Sequence, residues 1–282
     1  SGLVIGTPIF VWLGLPLLGA MLLALGVAMS SSVVIVNITR SRRRTTNPAT
    51  ETAMLGWSVV QDISGVATAA VLLTIIGVGD RPLSVALLGL IGFIVLSYAS
   101  SKALPKVLRL LKWEHDLFLI YSVSIGLVLA ALGTVAFGIP MALAAFVAGL
   151  ALNQGHETDE IRRVIIPFRD LFAVLFFVVI GSLMSPNNLQ AALPFAGVLL
   201  ALLLVAKTLP AYALTRLSRV NARPAQLAVG LSQIGEFSFV LGSAALAEGL
   251  LSQVQFTAVI MVVIASIIGS TLLVRVFRPI QH

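Results

Sequence analysis

Three ionisable side chains lie well inside apolar stretches of this sequence: Asp62, Lys207 and Glu236. A membrane-spanning helix satisfies its backbone with its own hydrogen bonds but cannot hide a carboxylate in the same way. An ionisable residue at the bilayer centre costs roughly 2.5–3.5 kcal/mol on insertion scales, so such residues are functional candidates by default. Burial favours the neutral form of a carboxylic acid and a nearby cation favours the charged form, so a carboxylate held between the two can carry either a proton or a metal cation. Asp62 is therefore read as an ion and proton site, the bland alternative being a structural carboxylate paired with a neighbouring helix. Gln61 beside it offers a neutral carbonyl oxygen, which suits a hard alkali cation, or else a hydrogen bond that holds two helices together.

Lys207 is too deep to snorkel: its head reaches about 6 Å, against roughly 13 Å to the interface. A buried partner is expected, and Asp62 and Glu236 are the acidic residues at that depth. Such a pair is also a coupling device, because an incoming cation can displace the ammonium. Glu236 lies in Ser232-Gln233-Ile234-Gly235-Glu236-Phe237. Beside an interrupted helix it could bind freed backbone amides or pair with Lys207. Measured from the nearest cytoplasmic charges at 1.5 Å per residue, the three lie roughly 13–20 Å deep. Ser30, Ser31 and Ser32 lie at a similar depth.

The elements that must position these groups are membrane helices. The 282 residues are 59% hydrophobic and only 10% charged, with a mean hydropathy of +1.06, whereas soluble domains carry about 25% charged residues. Nine apolar stretches follow one another, at approximately 16–39, 53–79, 83–101, 117–137, 140–152, 170–184, 190–215, 225–247 and 254–274. Most reach the roughly 20 residues that a bilayer needs; the stretch from Pro140 to Leu152 is short. The net charge of +7 does not indicate nucleic-acid binding, because the basic residues fall in clusters at alternate ends of the stretches. The clusters centre on Arg40 to Arg44, Lys102 to Lys112, Arg162 to Arg169, Arg216 to Arg223, and Arg275 with Arg278. This is the positive-inside pattern, and it predicts nine crossings with a cytoplasmic C-terminus.

Zero cysteines exclude disulfides and thiolate metal sites within the chain. Ser1 to Trp12 shows no charged leader and no initiating methionine, and reads as the outer end of an earlier helix in a chain that begins mid-protein. Residues Asn153 to Pro167 read as a cytoplasmic loop with a surface turn at Asp159 to Arg163, and Asp170 reads as a helix cap. Enzyme signatures are missing: His115, His156 and His282 lie outside the spans, and no zinc-protease, serine-hydrolase or phosphate-loop motif occurs.

A long-range symmetry links the deep polar residues. The first span runs inward and carries Ser30-Ser31-Ser32; the eighth runs outward and carries Ser232-Gln233-Ile234-Gly235. Antiparallel helices interrupted near the midplane point to a transporter built from inverted repeats. Serines also occur in spans simply to let helices pack closely.

The order of motifs resembles the membrane domain of Kef-type cation:proton antiporters, within the large sodium/hydrogen-exchanger group. The matching pieces run from Ala24 to Ser32, Val60-Gln61-Asp62-Ile63, Ala144 to Leu150, Leu175 to Gly181, Lys207, and Ser232 to Val240. The resemblance implies an all-α membrane fold of about 13 helices with panel and core parts, of which about nine are seen here and roughly the first four are absent. It implies two crossing broken helices at Ser30–Ser32 and Ser232–Gly235, and Asp62 as the cation- and proton-binding carboxylate. It further implies Lys207 as the lysine that pairs with carboxylates. The Gln61-Asp62 pair resembles potassium-efflux members, and one carboxylate per site implies electroneutral exchange of K⁺ for H⁺. Na⁺/H⁺ exchange, a sodium-coupled organic-anion symporter and a non-transporting membrane module are the alternatives. A homodimer in the bacterial inner membrane is expected of the full-length protein. No cofactor is expected in this chain, although potassium-efflux members carry a nucleotide-binding regulatory domain after the last span.

Overall fold

The computed structural model describes residues 2–39, 46–76, 83–111, 115–139, 141–152, 186–218 and 220–276, with further helical positions between 168 and 182. The basic segment Arg40 to Arg44, the loop from Asn153 to Pro167, Asp170, His156 and His282 lie outside the described residues. All regular structure among the described residues is helical. The chain divides into two compact units, one of residues 1–72 with 182–282 and one of residues 73–181.

The first unit contains α1 (Gly2–Trp12), α2 (Leu17–Ala28), α3 (Ser32–Thr39) and most of α4 (Pro48–Ile75). It also holds α8 (Leu189–Leu202), a π-helical turn (Leu203–Thr208), α9 (Leu209–Leu217), α10 (Pro224–Leu231), α11 (Phe237–Ala247) and α12 (Gln253–Val276). The opening residues, expected to be the end of an earlier helix, are helical as α1. α1 runs antiparallel to α2, Gly2 lying against Ala28 and Gly6 against Ala24. Gly14, at φ +88, makes the turn between them, a conformation an L side chain rarely adopts. α4 begins on Asn47, whose side chain accepts the Thr50 N–H at 2.9 Å, with Pro48 in the first helical position. α12 begins with a reciprocal cap between Ser252 and Gln255.

Two apolar spans do not run through. α2 stops at Ala28, Met29 is extended, and the helix resumes as α3 at Ser32. α10 stops at Leu231 and the helix resumes as α11 at Phe237. No proline causes either break. The physical cause is a run of short polar side chains that compete with the helix for backbone groups. The two broken spans cross. Gly26 of α2 packs on Ser238 of α11, a Cβ there falling 3.2 Å from the Ser238 Cα. On the other side of the crossing, Ile35 and Ile38 of α3 share a buried cluster with Leu227 and Leu231 of α10, Met54 of α4 and Val274 of α12.

The second unit contains α5 (Leu83–Leu111), α6 (His115–Val135) and α7 (Met141–Leu152). α5 continues beyond the apolar stretch into the basic cluster. Gly133 admits both Ala144 and the Phe93 ring, and Gly138, at φ +68, turns the chain towards α7. The Phe93 and Phe137 rings lie 5.7 Å apart.

Among the described residues, four helical segments are long and apolar enough to cross a membrane: Leu17–Thr39 counted through its break, Pro48–Ile75, Pro186–Leu217 and Gln253–Val274. The expected nine are not reached on that criterion. The eighth stretch is divided into two short helices, α7 has only 12 residues, and parts of the others fall outside the described residues.

Candidate functional site at the crossing of two broken helices

Each break frees backbone N–H and C=O groups, and in a low-dielectric interior each must find a partner. At the first break two glutamines do this with both ends of their amides. Gln233 accepts the Ser31 N–H at 2.8 Å and donates to the Ser31 carbonyl at 3.1 Å. Gln61 accepts the Ser30 N–H at 3.3 Å and donates to the Ala28 carbonyl. Gln233 is fully buried and Gln61 half-buried. The Gln61 oxygen, expected from sequence as a cation ligand, is here engaged on the backbone of the break.

Hydroxyls and one ammonium serve the second break. Ser30 Oγ donates to the Leu231 carbonyl at 2.9 Å, and Ser266 Oγ accepts the Ile234 N–H at 3.1 Å. Ser270 Oγ donates to the Val229 carbonyl at 2.7 Å. The breaks touch directly: the Gly235 N–H donates to the Met29 carbonyl at 2.9 Å. A Cβ on Gly235 would lie 2.8 Å from the Ser30 carbonyl carbon, so only glycine fits this approach.

Lys207 is buried between the two breaks. Its ammonium donates to the Val27 carbonyl at 3.1 Å and to the Gln233 carbonyl at 2.6 Å. These recorded bonds run to carbonyls, not to the carboxylates expected as its partners. The reason lies in the breaks. The C-terminal ends of α2 and α10 bring unpaired carbonyls and the negative ends of two helix dipoles into the middle of the unit, and a cation belongs there. The opposite ends, the N-termini of α3 and α11, are positive. Ser32 opens α3, and Glu236 occupies the position before α11, where a negative charge is favoured. Its side chain makes no capping hydrogen bond.

Asp62 is half-buried on α4. One turn further on, Gly65 meets the Met29 side chain, a Cβ there lying 2.8 Å from it. Met29 in turn holds Gly235 through its carbonyl, which brings Asp62 near the first break. Among the described residues, no hydrogen bond or ion pair to either carboxylate is recorded. A cavity of about 600 Å³ opens beside the crossing, lined by Trp57, Gln61, Ser64 and Thr68 of α4 and by Lys207. Asp62 does not line it.

Sequence reasoning missed the residues that complete the second break. Ser266 and Ser270 are ordinary serines in an apolar helix by composition, and nothing in Leu203 to Thr208 marks a π-turn. π-turns inside helices are frequent at functional sites, and this one carries Lys207 and Thr208.

Antiparallel broken helices that cross, with a buried lysine between them and a carboxylate alongside, are an arrangement that secondary transporters use to build their sites. Residues 1–278 match the family described as "Sodium/hydrogen exchanger, transmembrane". The chain belongs to the sodium/hydrogen exchanger family, a family of membrane transporters and not of enzymes. It is also similar to "Putative cation/proton antiporter YbaL" of Escherichia coli (strain K12), at 29% identity over 262 residues. That alignment covers 86% of this chain and 46% of the relative, so the chain spans about half the length of that curated relative.

Proposed function

We propose that this chain carries the ion-handling core of a monovalent cation:proton antiporter, with Asp62 binding the cation and the proton in alternation. The observation that carries the proposal is the crossing itself: two broken helices meet through Gly235 and Met29, with Asp62 on the helix packed against Met29. Membership of the family and the cation/proton antiporter among its relatives support the same reading. Potassium is the proposed cation and the subtype Kef-like, on the Gln61-Asp62 pair. Electroneutral exchange follows if Asp62 is the one carboxylate that turns over while Glu236 stays at the start of α11. Gln61, Ser30, Ser31 and Ser32 shape the site, and Lys207, Ser232, Gln233 and Gly235 hold the breaks in place. In the full-length protein we place this core in a homodimer in the bacterial inner membrane, with the C-terminus cytoplasmic.

The test is cation-driven proton flux of the full-length protein in proteoliposomes, with K⁺, Na⁺ and Li⁺ compared. Asp62→Asn is expected to abolish flux while the protein remains folded. Unchanged flux would remove Asp62 from the mechanism, and wild-type flux driven only by Na⁺ would replace potassium with sodium.

A further inference from the structure

Thr208 is outside every role assigned so far, yet it sits on the break beside Lys207. Its Oγ1 lies 3.0 Å from the Leu203 carbonyl and 2.6 Å from the Ser232 hydroxyl. A helical threonine ordinarily bonds the carbonyl three or four residues back. Here the partner is five residues back, the spacing of the π-turn. Ser232 Oγ also bonds the Ala228 carbonyl in the last turn of α10. Three contacts therefore share two hydroxyl protons. Two hydroxyl oxygens 2.6 Å apart repel unless one donates to the other, so either Ser232 donates to Thr208 and Thr208 to Leu203, or Thr208 donates to Ser232 and Ser232 to Ala228. In both orientations one hydroxyl bond joins the π-turn to the second break.

That bond is one of two adjacent rungs. Thr208 meets Ser232 at 2.6 Å, and the Lys207 ammonium meets the Gln233 carbonyl at 2.6 Å. Consecutive residues of the π-turn thus hold consecutive residues of the break. Fixing the first rung fixes the distance over which Lys207 must reach, and with it the reach to the Val27 carbonyl on the other break.

We infer that Thr208 is a positioning residue: through Ser232 it keeps the Lys207 ammonium seated on the carbonyls of both breaks and away from the ion site. The inference rests on the exchange function proposed above. A lysine released from those carbonyls is free to seek a carboxylate, and there it competes with the transported cation. Loosening the rung is therefore expected to weaken apparent cation affinity and leave the maximal rate per folded protein unchanged. A purely structural role would do the reverse, lowering the amount of active protein at constant KM.

The experiment measures KM and maximal rate for K⁺, and in parallel Na⁺, in proteoliposomes of the full-length protein, normalised to folded protein. Thr208→Val keeps the shape and leaves Ser232 free to donate to Ala228. It is expected to raise KM about fivefold, the loss of one ordinary hydrogen bond. Thr208→Ser is expected to restore the wild-type KM. Ser232→Ala removes the same rung from the other side, is expected to raise KM in the same direction, and carries the test if Thr208→Val does not fold. An unchanged KM in the valine variant, a fall in maximal rate alone, or failure of serine to rescue would overturn the inference. Absence of cation-driven flux in the wild type would instead overturn the proposed exchange itself.

Discussion

The two breaks look alike in sequence and are held by different chemistry. The first, around Ser30 and Ser31, is clamped by two side-chain amides, from Gln61 on α4 and Gln233 in the other break. The second, from Ser232 to Glu236, is held by hydroxyls from Ser30 and Ser266 and by the Lys207 ammonium. An amide that both donates and accepts fixes the backbone at two points, whereas a hydroxyl here fixes it at one and can turn. The difference teaches which helix each break depends on. The first is tied to α4, the helix that carries Asp62. The second is tied to the π-turn and to α12, neither of which carries an acidic side chain. Asp62 therefore has a hydrogen-bonded route into the first break, through the neighbouring Gln61, of a kind not seen into the second.

The largest effect on this comparison is expected from Gln233, because its side chain reaches from the second break to both polar backbone groups of Ser31 in the first. Gln233→Leu leaves the Ser31 N–H without its partner in a fully buried place, while the Ser31 carbonyl keeps only the Ile35 N–H. The orphaned N–H costs about 1–3 kcal/mol and the lost bond to the carbonyl about 1 kcal/mol more, so a loss of roughly 2–4 kcal/mol is expected. It would show as a marked drop in thermal midpoint in detergent, together with loss of flux. A midpoint near wild type would mean that the amide clamp is dispensable and the two breaks are equivalent.

Gly235→Ala comes next. It leaves every hydrogen bond formally possible but puts a methyl group 2.8 Å from the Ser30 carbonyl carbon, against backbone that cannot yield as a flexible side chain would. Overpacking of this kind costs about 1–3 kcal/mol. Its signature is expected at both breaks at once, with the Gly235–Met29 bond lengthened in a structure of the variant and flux reduced. Wild-type flux and stability would show that the breaks separate freely and that their close approach is incidental.

Much of this arrangement is legible in the sequence, and the illegible part has one physical origin. Ser30-Ser31-Ser32 and Ser232-Gln233-Ile234-Gly235 are visible because short polar side chains at mid-depth are rare in apolar stretches. Asp62 and Lys207 are visible because a buried charge is costly. What a charge meets is not visible when its partners are backbone carbonyls, since every residue has one and only a break in three dimensions frees it. That is why Lys207 reads as the partner of a carboxylate and is found on Val27 and Gln233. Thr208 escapes for the same reason, because its role depends on a π-turn that Leu-Leu-Val-Ala-Lys-Thr does not announce.

The smallest effect on stability, and the sharpest test of the comparison, belongs to Gln61. It lines the cavity and is only half-buried, so water can take over the Ser30 N–H and the Ala28 carbonyl when the amide is removed. Gln61→Leu is therefore expected to cost about 1 kcal/mol, the net worth of an ordinary hydrogen bond, well below the loss for Gln233→Leu. Its effect on transport should be out of proportion to that. Gln61 neighbours Asp62 on the same helix, and cutting its two bonds uncouples that helix from the first break. Cation-driven flux is expected to fall by more than the loss of folded protein accounts for, with the melting profile nearly unchanged. If flux instead falls only in step with folded protein, the tie between α4 and the first break is structural alone, and the contrast between the two breaks has no part in transport.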